Sequence, residues 1–320
     1  MDIIEQAAKR LEELRRAGVE LPEAPESARQ ENRKESSPSD RFSIPNPSAP
    51  AVEVFSSRRI ELDMAALATR GIVTPDADRS QLADELRVLK RPLLRNVAGK
   101  SAAPVKDANL IMITSAVPAE GKTHLATNLA MSIAMEFDHT VLLVDADVAR
   151  PSIPAVLDIG RDQKGLLDVL QDPALDLSQV LLRTNIEKLS ILPAGTQHPR
   201  ATELLASDAM NNLLADMATR YADRIIIFDS PPLLLTTEAR ALATHMGQVV
   251  LVVKAESTTH AMVKNAVATL EACPVKMVVL NQAVMQMDGH GYGYGYGYGY
   301  GHSKRSGRGE ADRVGRGQEG

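Results

Sequence analysis

Residues 116–123 read AVPAEGKT, a glycine followed directly by a lysine and a threonine, set between the apolar run NLIMIT and the helix-like stretch HLATNLAMSIAM. Strand, loop and helix in that order are what a phosphate-binding P-loop requires, with Lys122 reaching the β- and γ-phosphates and the Thr123 hydroxyl on Mg²⁺. Pro118 has no N–H, so the phosphate cradle falls to the amides of Ala119, Glu120, Gly121, Lys122 and Thr123 at the helix N-terminus. His124 follows in that helix as a further nucleotide-site residue, and a solvent-facing or packed role suits it better than a catalytic one. The bland alternative is a chance glycine turn opening a helix, and the strand before it argues against that.

Two more apolar runs end in acids. VLLVDAD closes with Asp145 and Asp147, one residue apart, and RIIIFDSPP closes with Asp229. A carboxylate at a strand end can simply cap the next helix, a reading that fits Asp147 better than Asp145 or Asp229. A triphosphate with Mg²⁺ also needs outer carboxylates to hold the metal's waters, and Asp229, from a separate strand, is the natural choice. Farther along, Tyr292, Tyr294, Tyr296, Tyr298 and Tyr300 alternate with glycine, which lets the chain present each phenol extended and without side-chain clashes. From Asn281 to Tyr292 the chain spans at most about 35–40 Å, enough to reach the P-loop of a second copy.

Positioning these groups requires strands that alternate with helices. NLIMIT, TVLLVDAD, KLSILPAG, RIIIFDS, QVVLVVKA and VKMVVLN read as short buried strands, which predicts an α/β fold with a mostly parallel sheet flanked by helices. Such sheets bind ligands at the carboxyl ends of their strands, so chemistry is expected in the loops after Thr114, Val144, Phe228 and Leu280. Residues 1–20 carry Ile3, Ile4, Ala7, Ala8, Leu11 and Leu14 at helical spacing, an amphipathic helix whose stripe needs a cover. Residues 21–58, rich in Pro, Ser, Glu and Asn, read as a flexible linker. A helix is expected over residues 80–91, ended by Pro92. The P-loop domain is assigned to residues 59–285, and the Tyr/Gly-rich stretch 286–320 to a disordered tail.

Taken together, SAVPAEGKT followed by NLA, VLLVDADVARP, IIIFDSPP and the tyrosine-rich tail resemble the bacterial tyrosine kinases of capsule and exopolysaccharide systems. The chain is similar to the separate-kinase CpsD/CapB type, and within it to the exosortase (XrtA)-associated tyrosine autokinases. The resemblance covers residues 59–300 and implies a MinD/ParA-like P-loop fold. It implies ATP and Mg²⁺ on Lys122 and Thr123, transfer assisted by Asp145 and Asp147, and metal support from Asp229 and Asp145. It implies autophosphorylation of the tail tyrosines by a neighbouring subunit of a homo-oligomeric ring. A membrane polysaccharide co-polymerase would be the activating partner and a phosphotyrosine phosphatase the opposing one, at the inner face of the bacterial inner membrane. The family's arginine after the second Asp motif falls on Ala149, with Arg150 following. Its oligomerisation signature, E-x-x-R-x-x-R, becomes Asp84, Arg87 and Lys90, whose spacing puts them on one helix face, either bridging to a neighbour or solvated. Asn281 matches a position that hydrogen-bonds the base in related P-loop proteins, and also suits an ordinary turn.

Composition bounds these readings. With 320 residues, 44% hydrophobic and 24% charged, the chain has core enough for one large or two small globular domains. No apolar run approaches the ~20 residues of a membrane helix, so a cytoplasmic protein is expected. The single cysteine, Cys273, allows neither an internal disulfide nor the cysteine set of a nitrogenase-iron-protein-like carrier. A net charge of -5 argues against general nucleic-acid binding. A MinD/ParA-like ATPase switch without kinase activity is the alternative function, and Val117 stands where those proteins carry a second lysine. A passive scaffold with a sticky GY tail would not need the P-loop and its acids.

Overall fold

The computed structural model describes residues 58–77 and 79–283. The expected N-terminal helix, most of the linker and the tail tyrosines lie outside them. In chain order the elements are β1 (Arg58–Arg59), α1 (Met64–Thr69), α2 (Gln81–Val97), β2 (Leu110–Ser115), α3 (Lys122–Ala134) and β3 (Thr140–Asp145). There follow α4 (Ile153–Leu157), α5 (Leu166–Gln171), α6 (Leu177–Val180), β4 (Leu182–Arg183), β5 (Leu189–Leu192), α7 (Ala201–Leu205) and α8 (Asp208–Arg220). The fold closes with β6 (Arg224–Asp229), α9 (Thr237–Ala243), β7 (Gln248–Lys254), α10 (His260–Ala268) and β8 (Val275–Asn281).

The strands form one sheet in the order β1-β4-β5-β3-β6-β2-β7-β8, and every neighbouring pair is parallel except β4 with β5. All six strands expected from the apolar runs are present. The two extra strands, β1 and β4, are two residues each, too short for any periodicity to register. β1 also draws Arg58 into the sheet, a residue expected in the linker.

Alternation along each central strand feeds two cores. Leu110 and Met112 of β2, Leu142 and Val144 of β3, and Ile226 and Phe228 of β6 face one layer, shared with the helices from α5 to α10. Ile111, Ile113, Val141, Leu143, Ile225 and Ile227 face the other, packed against the helices from α1 to α4. Both faces of a parallel sheet are thereby covered, which is why its strands are uninterrupted apolar runs. The helix that opens at the P-loop, α3, is itself buried from Ala126 to Ala134.

The second expected helix does not stop at Pro92. It runs on to Val97 with Pro92 inside, held by Leu86 and Leu93, which are 1% and 0% exposed on either side of the proline. Pro92 is on the exposed face, so the carbonyl it leaves unbonded, that of Val88, is free to meet water, and packing outweighs the lost bond. Lys90 differs from the sequence expectation as well. It turns inward at 6% exposure, donating to Ser132 O at 2.7 Å and pairing with Glu136 Oε1 at 2.5 Å. That hydrogen bond from Lys90 holds the Glu136 carboxyl below its ordinary range. Gln248 fastens the end of the same helix to β7, donating to Leu93 O and Ala108 O and accepting from Asn96 Nδ2.

Pro92→Ala restores one helical hydrogen bond and removes a ring clash at a site that buries nothing. It is expected to stabilise the domain by about 1–3 kcal/mol, read as a higher midpoint in urea unfolding. An unchanged or lower midpoint would show that the proline is not strained there.

Candidate active site

The P-loop occupies the bend between β2 and α3. Ala119 and Gly121 both adopt left-handed backbone, φ 64° and 95°, around Glu120. Alternating conformations of this kind turn successive N–H groups toward one point, the nest geometry that holds an anion. Ala119 takes this conformation at a steric cost that glycine would not meet. At Gly121 the close neighbour is Asn281, whose Nδ2 would lie 2.2 Å from an added Cβ.

Lys122 begins α3, and its Nζ donates to Asp147 Oδ2 at 2.7 Å and lies 3.7 Å from Asp229 Oδ1. Asp145 and Asp229 are register partners on the adjacent strands β3 and β6. Asp145 Oδ2 accepts from Ile153 N at 3.1 Å, while its Oδ1 and both oxygens of Asp229 are buried without a hydrogen-bond partner. The two strand-end acids and Asp147 therefore converge on one lysine, as their sequence positions predict.

Charge balance follows from this geometry. Burial raises the Asp145 carboxyl well above its ordinary range, and the Asp229 charge beside it pushes the same way. Burial likewise lifts Asp229 to about 6, although the Lys122 charge pulls it down. Burial alone would lower Lys122, but Asp229, Asp147 and Asp145 more than offset it, and the amine stands above its usual value. Lys122 is thus held protonated.

A cavity of about 630 Å³ opens over this cluster, lined by Pro118, Ala119, Gly121, Lys122, Thr123 and His124 from the P-loop side and Asp147, Ala149 and Arg150 from the loop after β3. Pro231 and Pro232, the end of the IIIFDSPP motif, form its far wall with Leu235 and Thr236, which no sequence motif singled out. His124 is exposed at the rim, its ring beside the Asn128 amide, in keeping with a non-catalytic place. Arg150, next to the expected arginine position at Ala149, lines the cavity, and its N–H donates to Asp147 Oδ1 at 3.2 Å.

Three predicted residues lie elsewhere. Asp84 and Arg87 pair with each other on the exposed face of α2, and Lys90 is committed inside the fold. Asn281 ends β8 and donates to Glu120 O at 2.8 Å. The Glu120 side chain turns away from the cavity and is fully buried.

The donor set suits a hard cation: buried carboxylate oxygens without partners, beside a threonine hydroxyl, at the mouth of a phosphate nest. Among the described residues no group of three or more His, Cys, Asp or Glu side chains could hold a metal by itself. Mg²⁺ keeps several waters and takes phosphate oxygens as ligands.

Fold and site together define a P-loop nucleotide-binding protein. A family model described as AAA domain matches residues 109–281, the span from β2 to β8. The chain is 32% identical over 168 residues to tyrosine-protein kinase YwqD of Bacillus subtilis, a match covering 52% of this chain and 69% of that protein. It is 29% identical to tyrosine-protein kinase wzc of Salmonella typhimurium over 184 residues, which are 57% of this chain but 25% of that longer protein. The solved VpsO kinase domain superposes with a TM-score of 0.51 at 31% identity, covering 64% of this chain and all 100% of that one. The chain belongs to the bacterial tyrosine-protein kinases.

The raised Asp229 carboxyl ties stability to pH. The native form keeps its proton up to about pH 6, whereas an unfolded aspartate loses it near 3.8. Through Asp229, stability of the nucleotide-free protein should therefore fall as pH rises from about 4 to about 6. Asp145, also raised by burial, acts in the same direction. Asp229→Asn imitates the protonated form, so thermal unfolding near neutral pH should show it more stable than wild type by about 1–3 kcal/mol, with a flatter profile below pH 6. A variant less stable than wild type at neutral pH contradicts this account.

Proposed function

We propose that this protein is an ATP-dependent protein-tyrosine autokinase that phosphorylates its own C-terminal tyrosine cluster. One observation carries the reading: Lys122, at the helix N-terminus under the phosphate nest, is held protonated among Asp145, Asp147 and Asp229. Its relatives YwqD and wzc are named tyrosine-protein kinases.

In the proposed reaction the nest amides and Lys122 bind the β- and γ-phosphates of ATP, and a tail tyrosine enters along the Pro231–Leu235 wall. The phenol oxygen forms a bond to the γ-phosphorus as the bond to the ADP oxygen breaks, leaving phosphotyrosine and ADP. The phenol proton, bound with an ordinary pKa near 10, passes to a carboxylate, and Asp145 Oδ1 is the unpartnered acceptor. Mg²⁺, when bound, neutralises charge on the phosphates, held by Thr123 and, through waters, by Asp145 and Asp229. Most of the acceleration comes from this preorganised charge.

The finer readings belong to the same proposal. Tyr292, Tyr294, Tyr296, Tyr298 and Tyr300 are the acceptors, presented in trans within a ring. Asp84 and Arg87 keep their exposed place for a subunit contact, and Lys90 supports that helix from inside. A membrane polysaccharide co-polymerase activates the kinase, a phosphatase reverses it, and polymer synthesis and export respond. No helix among the described residues is long and apolar enough to cross a membrane.

Incubation with ATP and Mg²⁺ should place phosphate on the tail tyrosines, located by mass spectrometry. Lys122→Met should lower the rate about a hundred- to a thousandfold while the protein stays folded. Mixing Lys122→Met protein with active protein whose tail tyrosines are Phe separates the routes: label on the inactive chain means transfer in trans. Wild-type labelling by Lys122→Met alone would sink the assignment.

A further inference from the structure

The end of the sheet opposite the candidate active site concentrates positive charge that the proposed chemistry does not use. Lys122 and its acids sit where the parallel strands end. In contrast, α2 closes against Gln248, the first residue of β7, and the turn after α3 runs into Thr140, the first residue of β3. Between that helix and that turn opens a cavity of about 630 Å³, lined by Arg87, Lys90, Arg91, Arg95 and Lys100, with Glu136 as the acid of its lining. This local excess of cations runs against the net charge of the chain, which is -5.

Part of the excess is balanced within the fold. Lys90 pairs with Glu136, and Arg87 pairs with Asp84. The side chains of Arg91, Arg95 and Lys100 are exposed and make neither an ion pair nor a hydrogen bond among the described residues. Arg91 and Arg95 stand four residues apart on α2, a spacing at which like charges repel and weaken a helix. Folding gains nothing from grouping them, and an anion from outside the chain would relieve the repulsion.

The same end holds apolar side chains in water. Phe137, in the turn that lines the cavity through Glu136 and His139, is 92% exposed. That turn is fastened: Lys188 Nζ donates to Glu136 O at 2.8 Å and to Phe137 O at 2.9 Å, and lies 5.7 Å from the centre of the ring. Val88, 74% exposed, precedes Arg91 by three residues on the outward side of α2. Exposed cations beside an exposed aromatic suit a bilayer surface, where the cations reach lipid phosphates and the ring enters the interface. A soluble phosphate or phosphopeptide would occupy the cations and leave Phe137 and Val88 in water. Asp138, exposed beside Phe137, is the acid that opposes the contact.

We propose that this end of the fold is a docking surface for an anionic lipid bilayer, with Arg91, Arg95 and Lys100 on the lipid phosphates and Phe137 in the interfacial layer. Docked in this way, the protein turns the cavity over Lys122 away from the lipid. The inference does not depend on which reaction that cavity carries out, and it leaves the Asp84–Arg87 pair for other contacts.

The test is co-sedimentation of the full chain with vesicles of phosphatidylcholine containing about one third phosphatidylglycerol, against phosphatidylcholine alone. The sequence has no tryptophan, so Phe137→Trp introduces a single indole. Its emission is expected to shift to the blue with anionic vesicles and not with neutral ones. Each cation near such a surface contributes about fivefold to binding, so Arg91→Gln, Arg95→Gln and Lys100→Gln combined should weaken it about a hundredfold. Phe137→Ala should weaken it about five- to tenfold, and in both variants the thermal unfolding midpoint should match wild type. Should the triple variant fail to fold, the indole shift decides alone. Absence of co-sedimentation, an unshifted indole on anionic vesicles, or a folded triple variant that binds like wild type overturns the proposal. A phosphotyrosine peptide of the tail sequence that binds wild type but not the triple variant, with no indole shift on vesicles, assigns the cations to a phosphopeptide and overturns it as well.

Discussion

The Lys122 amine lies 2.7 Å from Asp147 and 3.7 Å from Asp229, and Asp145 stands beside Asp229 in register, so three carboxylates share one cation. Two of those acids are fully buried, and the unpaired oxygens they carry are an expense that hydrophobic packing must offset elsewhere. The deficit of positive charge is what makes the cavity suited to a metal with its phosphates. It also explains why burial and mutual repulsion drive both Asp145 and Asp229 upward while Lys122 is held charged. Only a rigid frame keeps like charges this close.

That frame is the two-faced sheet. The order β3-β6-β2 sets the ends of three neighbouring parallel strands side by side, about 5 Å from one to the next, so a P-loop on one and an acid on each of the others meet once these long-range pairings form. The helix that carries Lys122 is buried over most of its length, and α2 is fastened across it by Lys90 and Gln248. Support thus reaches the P-loop from both directions, from the acids on one side and from β7 and β8 on the other.

How much of this the sequence discloses depends on how local the determining contacts are. The P-loop, the strand-end acids and the six long strands were legible because each is a short pattern with its cause inside it: period, glycine, or a charge ending an apolar run. Lys90 was not, because lysine is ordinarily a surface residue and its burial depends on Ser132 and Glu136, more than forty residues on. Pro92 misled because a local rule about proline yielded to the packing of Leu86 and Leu93. The side chain of Glu120 was illegible for the same reason: Thr258, its hydroxyl partner, is 138 residues away. Of the far wall only Leu235 and Thr236 lie outside the IIIFDSPP motif, and they reach the cavity through the turn after β6.

Asp147 differs from the other two acids in a way that bears on the order of events. It lines the cavity and holds Lys122, whereas the carboxylates of Asp145 and Asp229 lie beneath, in the sheet. Under the proposed function, arriving phosphates compete with Asp147 for the lysine, and because Lys122 is protonated throughout, the exchange moves a hydrogen bond without moving a proton. Asp147 is then released at the mouth of the cavity, next to the Arg150 N–H it already binds, while the deeper acids face the metal's waters. Once a tail tyrosine carries phosphate, its added charge of about -1.5 to -2 meets this acidic cluster with the nucleotide's own charge reduced by the transferred group. Under that same proposal product would leave by repulsion from the carboxylates that the lysine had balanced, and the charge imbalance that prepares the site would also clear it.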